Sequence, residues 1–211
     1  MNYTELVAAA KAYCDRIDVE VNQNADIFVR MAEARINRTL KVTEQTHRVF
    51  TKTMAGKEYY TLPPEFNGMR VVQFNTAKVD EPDSKTVLLH YVTPEQLVEM
   101  QESPYEEQLR YYTIVNNQFQ LHQPLPNGGT LEMVFYRKVQ PLGQDGLQDN
   151  WMSRENPDIY LAGISAEIEM FVKNYDAAKL WDDRMTRAIE ELRVNDINNR
   201  WSGNSMQMRV D

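Results

Sequence analysis

The spacing of apolar residues changes twice along this sequence, and the change limits the folds available to the chain. Residues 4–42 and 157–196 carry apolar residues at helical spacing, whereas residues 47–139 alternate with the period of two that is typical of strands. Helices that flank a block of strands indicate an α+β protein. No internal repeat of 20 to 50 residues is visible, which excludes a solenoid or a propeller.

The N-terminal part predicts two helices. The first covers residues 4–17 with Thr4 as its N-cap, and the second covers residues 26–42 with Asp26 as its N-cap. Both have apolar stripes, which consist of Leu6, Ala10, Tyr13, Cys14 and Ile17 in the first helix and Ile27, Phe28, Met31, Ala32, Ala34, Ile36 and Leu40 in the second. We expect the two helices to form a hairpin.

The middle of the chain predicts six or seven strands. The segments of strand character are 49–54, 58–62, 69–75, 86–92, 110–115, 118–122 and 130–139, with a polar link at 80–84. Residues 55–57 predict a hairpin-like link between the first two strands, and Asn116-Asn117 predicts a tight turn between two later ones. Thr93 and Gln96, on either side of Pro94-Glu95, predict the capped start of a short helix.

The C-terminal part predicts two more helices. Asn156-Pro157-Asp158 opens the first, residues 174–176 interrupt the pattern, and a second helix carries Trp181 and Met185 on its apolar face. The stretch before these helices is polar and contains glycine and proline, which favours a linker. The helical pattern ends near Asn198.

Each helix pair has apolar stripes that it cannot bury alone. The expected fold is therefore an antiparallel four-helix bundle from the N- and C-terminal helix pairs, with an inserted, mostly antiparallel β domain and an extended C-terminal tail. The predicted boundaries are 1–45 and 156–197 for the bundle, 46–140 for the β-rich insertion, 141–155 for the linker and 198–211 for the tail.

Charge and cysteine content exclude several classes of protein. The chain has 23 Lys and Arg against 31 Asp and Glu, and its net charge of −8 is opposite in sign to that of a general duplex-DNA binder. The acidity lies in residues 61–211. Cys14 is the single cysteine, which excludes an internal disulfide framework, and we expect it to be buried. No apolar run of 18 residues and no leader-like start is present, so we expect a soluble chain in a reducing compartment.

Motifs of nucleotide-binding, zinc-dependent and hydrolytic enzymes are absent. The histidines His47, His90 and His122 fall on predicted strands and leave a three-histidine metal site open, but their spacing favours strand-surface side chains. Neighbouring carboxylates such as Glu190-Glu191 point apart on a helix and indicate a solvated face. The residues alone thus favour a structural or interaction protein.

Three arginines of the second helix, Arg30, Arg35 and Arg38, are candidates for binding. They could contact phosphate, but we interpret them as helix-dipole partners and as donors of salt bridges between helices or between subunits.

Several strings in matching order resemble the head-to-tail adaptor, or connector, proteins of short-tailed bacteriophages. The first two are FVRMAEARINRTLKV at 28–42 and YTLPPEF at 60–66, and the specificity comes from the ordered set. Further matching strings are TPEQL at 93–97, LEMVFY at 131–136, NWM at 150–152, NPDIYL at 156–161 and LW at 180–181.

This resemblance implies a structural virion protein at the head–tail interface, made in the host cytoplasm. It implies a dodecameric ring whose helical bundle docks beneath the portal protein, which extends the DNA channel and offers the attachment site for the tail nozzle protein. DNA passes through without specific binding. No catalytic residue, cofactor or metal is implied. The alternatives are a tail-associated cell-wall hydrolase and a non-viral protein-binding module.

The tail contains the candidate partner-binding residues. It has no helical pattern, yet it carries Trp201, Met206, Met208 and Val210, with Arg209 between the last two. Alternation places Met206, Met208 and Val210 on one side of an added strand, and such residues are favoured at interfaces. We expect the tail to bind the portal or a neighbouring subunit; a disordered terminus is the alternative.

Overall fold

A computed structural model of the chain describes residues 1–76, 85–102, 111–143 and 147–201. The chain divides into a helical unit, residues 1–43 and 139 onward, and a β unit, residues 44–138. The predicted α+β class is confirmed. The polar link predicted at 80–84 and the tail from residue 202 onward lie outside the described residues.

The helical unit is built around one central helix. Its described helices are α1 (Tyr3–Tyr13), α2 (Val19–Gln23), α3 (Ala25–Thr39), α5 (Trp151–Glu155), α6 (Pro157–Phe171) and α7 (Tyr175–Trp201). Ten of the fifteen residues of α6 are buried, and α6 packs against α1, α3 and α7. A helix that is buried on nearly every side belongs at the centre of a core. The antiparallel four-helix arrangement stays a prediction.

Close approach of three helices requires a glycine in α6. A Cβ atom on Gly163 would lie 3.0 Å from Cβ of Ala32 in α3 and 3.1 Å from Sδ of Met185 in α7. Glycine inside a helix costs about 1 kcal/mol relative to alanine. Here it lets α3 and α7 pack directly on the α6 backbone.

The starts of α1 and α3 correct two predicted caps. Asn2 caps α1, since its Oδ1 accepts the N–H of Glu5 at 2.8 Å while the Glu5 carboxylate accepts the N–H of Asn2 at 2.9 Å. The prediction of Thr4 was wrong because this reciprocal pair starts the helix earlier. Asp26 was also wrong as a cap: Asn24 holds that position, and Asp26 lies in the first turn, where its charge complements the helix dipole.

The irregular segments of the helical unit contain more helix than the sequence pattern indicates. Helix α2 occupies the break between the first two predicted helices. Helix α5 lies within the predicted linker 141–155 and is capped by Asn150, whose Oδ1 accepts the N–H of Ser153 at 2.9 Å. Helix α7 continues four residues into the predicted tail and ends at Trp201.

The β unit is a mixed sheet. Its described strands are β1 (Thr46–Lys52), β2 (Tyr59–Thr61), β3 (Phe66–Asn75), β4 (Thr86–Tyr91), β5 (Tyr111–Val115), β6 (Gln118–Leu121) and β7 (Thr130–Arg137), in the order β1-β7-β3-β4-β5-β6-β2. Strands β4 and β5 are parallel and are connected through helix α4 (Pro94–Glu102), while the other described pairs are antiparallel.

One predicted turn and one predicted helix start of the β unit are confirmed, and a second predicted turn is wrong. Asn116 has a φ of 55° in the turn between β5 and β6, and Thr93 and Gln96 cap each other at the start of α4. The hairpin link predicted at 55–57 is wrong, because β1 pairs with β7 over its whole length and β2 pairs with β6. The two strands next to this link therefore lie at opposite edges of the sheet.

Candidate interaction surfaces

One end of the helical unit exposes a group of large apolar side chains, which we call the apolar end. It comprises the last residue of α1, the segment that leads into α2, the first turns of α3, the last residues of α6, and the start of α7. Its members are between 45% and 92% exposed: Tyr13, Ile17, Val19, Ile27, Met31, Met170, Phe171, Tyr175 and Leu180. Large exposed apolar patches of this kind mark interaction sites.

Two ring contacts join pairs of helices next to members of this group. The rings of Phe28 in α3 and Phe171 in α6 lie 5.4 Å apart, and the rings of Tyr13 in α1 and Trp181 in α7 lie 5.8 Å apart. Trp181 is only half-buried, so it is a partial core residue at the border of this surface.

A buried carboxylate fixes the backbone behind the apolar end. Glu169 of α6 is 5% exposed, pairs with Nη2 of Arg16 at 3.8 Å and accepts from Nδ2 of Asn174 at 2.9 Å. Lys173, between α6 and α7, adopts a φ of 64°, which lets the chain reverse direction. The turn is thus tied to the segment after α1, and the exposed apolar side chains stand on an ordered base.

The three candidate arginines have different surroundings. Arg35 forms an ion pair with Asp182 of α7 and donates to Oγ1 of Thr186 at 3.0 Å, which links α3 to α7. Arg30 and Arg38 are exposed and form no ion pair with another described residue. A role of Arg30 and Arg38 in salt bridges between subunits stays a prediction.

A second buried carboxylate joins α3, α6 and the returning chain. Glu33 is 5% exposed, and its Oε1 accepts the N–H of Leu142 at 2.8 Å and the O–H of Tyr160 at 3.1 Å. Asn150 donates through Nδ2 to the Tyr160 hydroxyl at 2.8 Å and to the Gln140 carbonyl at 2.7 Å. Burial raises the pKa of Glu33 to about 7, against the effect of the two hydrogen bonds and of the Arg30 charge.

The position of Glu33 in the sequence already indicates that its side chain is buried, although the predicted apolar stripes of this helix do not include it. Glu33 lies four residues after Val29 and three before Ile36, both buried, so helical spacing places its carboxylate on the core side. A buried carboxylate without a buried cation is uncommon and needs hydrogen-bond donors. Tyr160 and the Leu142 amide supply them.

A third polar group closes the last turns of α7. Asp196 is 6% exposed, accepts the N–H of Thr43 at 3.0 Å and pairs with Arg200 at 2.5 Å. Arg200 in turn donates through Nε to Oγ1 of Thr43 at 2.7 Å. We call these three residues the C-terminal clip, because they join the end of α7 to the residue with which the chain leaves the helical unit.

The β unit has an open groove where one strand changes partners. Strand β3 pairs with β7 from Phe66 to Asn75, but β4 accompanies it only from Val72 to Asn75. Past Leu89, β4 diverges and pairs in parallel with β5. The resulting fork groove has a volume of about 690 Å³. Apolar and aromatic side chains dominate its lining, including those of Phe66, Met69, Leu88, Tyr91, Tyr112 and Ile114.

The histidines do not assemble into a metal site in the described part of the chain. His90 and His122 both lie against the ring of Tyr111, at 6.4 and 6.3 Å, whereas His47 lies against Phe135. No group of three or more metal-ligating side chains comes together among the described residues. None of the described helices combines the length and the apolar character needed to span a membrane.

Cys14 is buried as predicted, and its thiol lies 3.7 Å from the carbonyl oxygen of Ser165. Burial raises the pKa of this thiol to about 11. Of the candidate tail residues, Trp201 ends α7, while Met206, Met208, Arg209 and Val210 lie outside the described residues.

Comparison with known proteins gives one match over nearly the entire length. The model of the family described as SU10 adaptor protein matches residues 1–210. No curated protein matches the chain significantly.

Proposed function

Because the chain belongs to the SU10 adaptor protein family, we propose that it assembles as a dodecameric ring beneath the portal protein of a short-tailed phage. Membership of the family makes the chain a phage structural adaptor protein and a component of the virion. The proposal adds that the ring extends the DNA channel, that the helical unit docks on the portal, and that the β unit offers the attachment site for the nozzle protein. In this role the chain performs no reaction and needs no cofactor.

The apolar end of the helical unit carries the proposal. Side chains such as those of Ile17, which is 92% exposed, and Leu180, which is 71% exposed, bury little apolar surface against the described part of their own unit. Aromatic residues and methionine are enriched where proteins bind each other, and this surface contains both. We infer that the portal covers it after assembly.

The charge of the chain supports passage of DNA without binding. A net charge of −8 disfavours contact with phosphates at the wall of the channel. We expect the purified protein to release duplex DNA at 0.15 M salt, as measured by filter retention. Tight retention that weakens steeply with added salt would contradict this part of the proposal.

The test of docking uses purified portal and two double variants. Ile17→Asp with Leu180→Asp places charges on the apolar end, and Phe50→Asp with Met54→Asp alters side chains of the β unit that are 56% and 59% exposed. We expect the wild type and the second variant to form rings on portal that electron microscopy and mass measurement detect, and the first variant to lose binding at least tenfold.

Two results would overturn the proposal in different ways. A wild-type chain that never joins portal would refute the adaptor ring itself. Equal binding of both double variants would refute only the role of the apolar end. Circular dichroism of each variant verifies that the exposed substitutions leave the fold unchanged.

A further inference from the structure

The fork groove of the β unit leaves a length of strand backbone open. From Gly68 to Val71, β3 has β7 on one side and no strand among the described residues on the other. The walls of the groove are β3 on one side and β4 with β5 on the other. A row of strand N–H and C=O groups beside an apolar cleft is the arrangement to which an added peptide strand binds.

The side chains around the groove define the chemistry of that strand. Leu88 and Tyr91, which are 49% and 55% exposed, lie at the rim of the groove. Met69 and Tyr112 also line it. Arg70 and His90 line it as well, and none of the described lining residues carries a carboxylate. The groove therefore suits apolar side chains at every second position, and methionine sulfur suits its aromatic walls.

One segment of this sequence has that pattern. Met206, Met208 and Val210 alternate with Gln207, Arg209 and Asp211, so an extended backbone places the three apolar side chains on one side. An extended segment spans about 13 Å from Met206 to Val210. The open stretch Gly68–Val71 spans at most about 10 Å and has a register shift between Met69 and Val71, so the segment covers all of it. Five residue steps separate Met206 from Trp201, the last residue of α7, and they reach at most about 18 Å.

We propose that residues 206–210 of a second copy of the chain add as a strand along Gly68–Val71 in the fork groove. The C-terminal clip fixes the end of α7, so the segment starts from a defined point on its own subunit. Binding links each adaptor subunit to the next. This inference rests on the proposed function in one respect: the ring holds copies of the adaptor next to each other.

Photo-crosslinking in the full-length chain tests the placement. Benzoylphenylalanine replaces Met208 in one preparation and Gln207 in another. Each preparation is mixed with ¹⁵N-labelled wild-type chain. Crosslinking is then measured in two conditions, with the concentrated adaptor alone and with the adaptor assembled on portal. We expect position 208 to crosslink to residues 66–72 or 88–91 and to join light to heavy chains. Position 207, which faces the other way, should give at least fivefold less of this product.

Two substitutions of equal exposure provide the matched control. Leu88→Glu places a charge at the rim, whereas Val115→Glu changes a side chain that is 47% exposed and does not line the groove. We expect at least a tenfold loss of the light–heavy product with Leu88→Glu and no change with Val115→Glu.

Each other outcome counts against the inference. Crosslinks from position 208 to portal, within a single chain, to other parts of the adaptor, or to nothing would overturn it. The concentrated chain gives a result even where portal does not bind. A groove crosslink without portal binding would refute the proposed function alone, and portal binding without a groove crosslink would refute this inference alone.

Discussion

Replacement of Glu33 by glutamine should change how the stability of the helical unit depends on pH. Glutamine keeps an oxygen that can accept from Leu142 and Tyr160 but cannot ionise. Burial raises the pKa of Glu33 from an ordinary 4.5 to about 7. The groups that face it are the Tyr160 hydroxyl from α6, Arg30 on its own helix, and Tyr3 of α1, whose pKa is itself raised, first by burial and also by nearby carboxylates.

The sign of this pH dependence follows from whether the folded or the unfolded chain binds a proton at Glu33. Above pH 7 the Glu33 carboxylate is charged in the folded and the unfolded chain, and its burial lowers the free energy of unfolding. As the pH falls from 7 towards 4.5, the folded chain binds a proton that the unfolded chain does not, so Glu33 contributes more stability. One pKa unit corresponds to about 1.4 kcal/mol, which gives about 3 kcal/mol in full and about 2 kcal/mol between pH 8 and pH 5.5.

Other carboxylates titrate in the same range, so the informative quantity is the difference between the wild type and Glu33→Gln. We expect the wild type to gain about 2 kcal/mol relative to the variant when the pH is lowered from 8 to 5.5. Urea titration followed by tryptophan fluorescence measures it, because all three tryptophans belong to the helical unit. Exposed Glu191→Gln is the matched control and should show no such trend.

A difference between the wild type and Glu33→Gln that stays constant within 0.5 kcal/mol over this range would refute the reasoning. Such a result would mean that the Glu33 carboxylate is as well solvated in the folded chain as in the unfolded one.

Three further predictions concern the helical unit. Trp181→Ala should lower the free energy of unfolding by about 2 kcal/mol in urea titration, less than for a fully buried indole, and a loss under 0.5 kcal/mol would contradict its contact with the core. Asp196→Ala should lower the hydrogen-exchange protection of the Thr43 amide by about 2 kcal/mol because it removes the acceptor of that N–H; unchanged protection would mean that the C-terminal clip does not hold in solution. The Cys14 thiol should react with a disulfide reagent at pH 8 at least about tenfold more slowly in the native chain than in urea, and equal rates would contradict its burial.

The periodicity of the sequence was sufficient to predict the class of fold and most strands. Strand β7 alternates clearly along its length and β3 does so from Val71 to Asn75, because one side of these stretches faces a core. Their partners could not be read in the same way. The Ala55–Lys57 link resembles a hairpin turn, but the pairing of β1 with β7 joins residues as far apart in the sequence as Thr46 and Tyr136, and local turn chemistry does not encode that.

The buried polar groups show the other limit of the sequence. Glu33, Glu169 and Asp196 look like ordinary surface carboxylates of amphipathic helices until their donors are known. Those donors come from distant parts of the chain, such as Leu142 for Glu33 and Thr43 for Asp196. The exposed apolar end was hidden for the converse reason, since Ile17 and Ile27 fit a core stripe by spacing although no described part of the chain buries them.

The C-terminal clip also determines where a mechanical load would travel. Tension on the residues after Trp201 first meets Arg200 and Asp196, whose hydrogen bonds pass to Thr43, 153 positions earlier in the sequence than Asp196. Force applied to that end is therefore shared with the backbone at Thr43, just before β1. The last turn of α7 does not carry the whole load. An assembly that holds its members by their ends would gain tensile strength from this one aspartate.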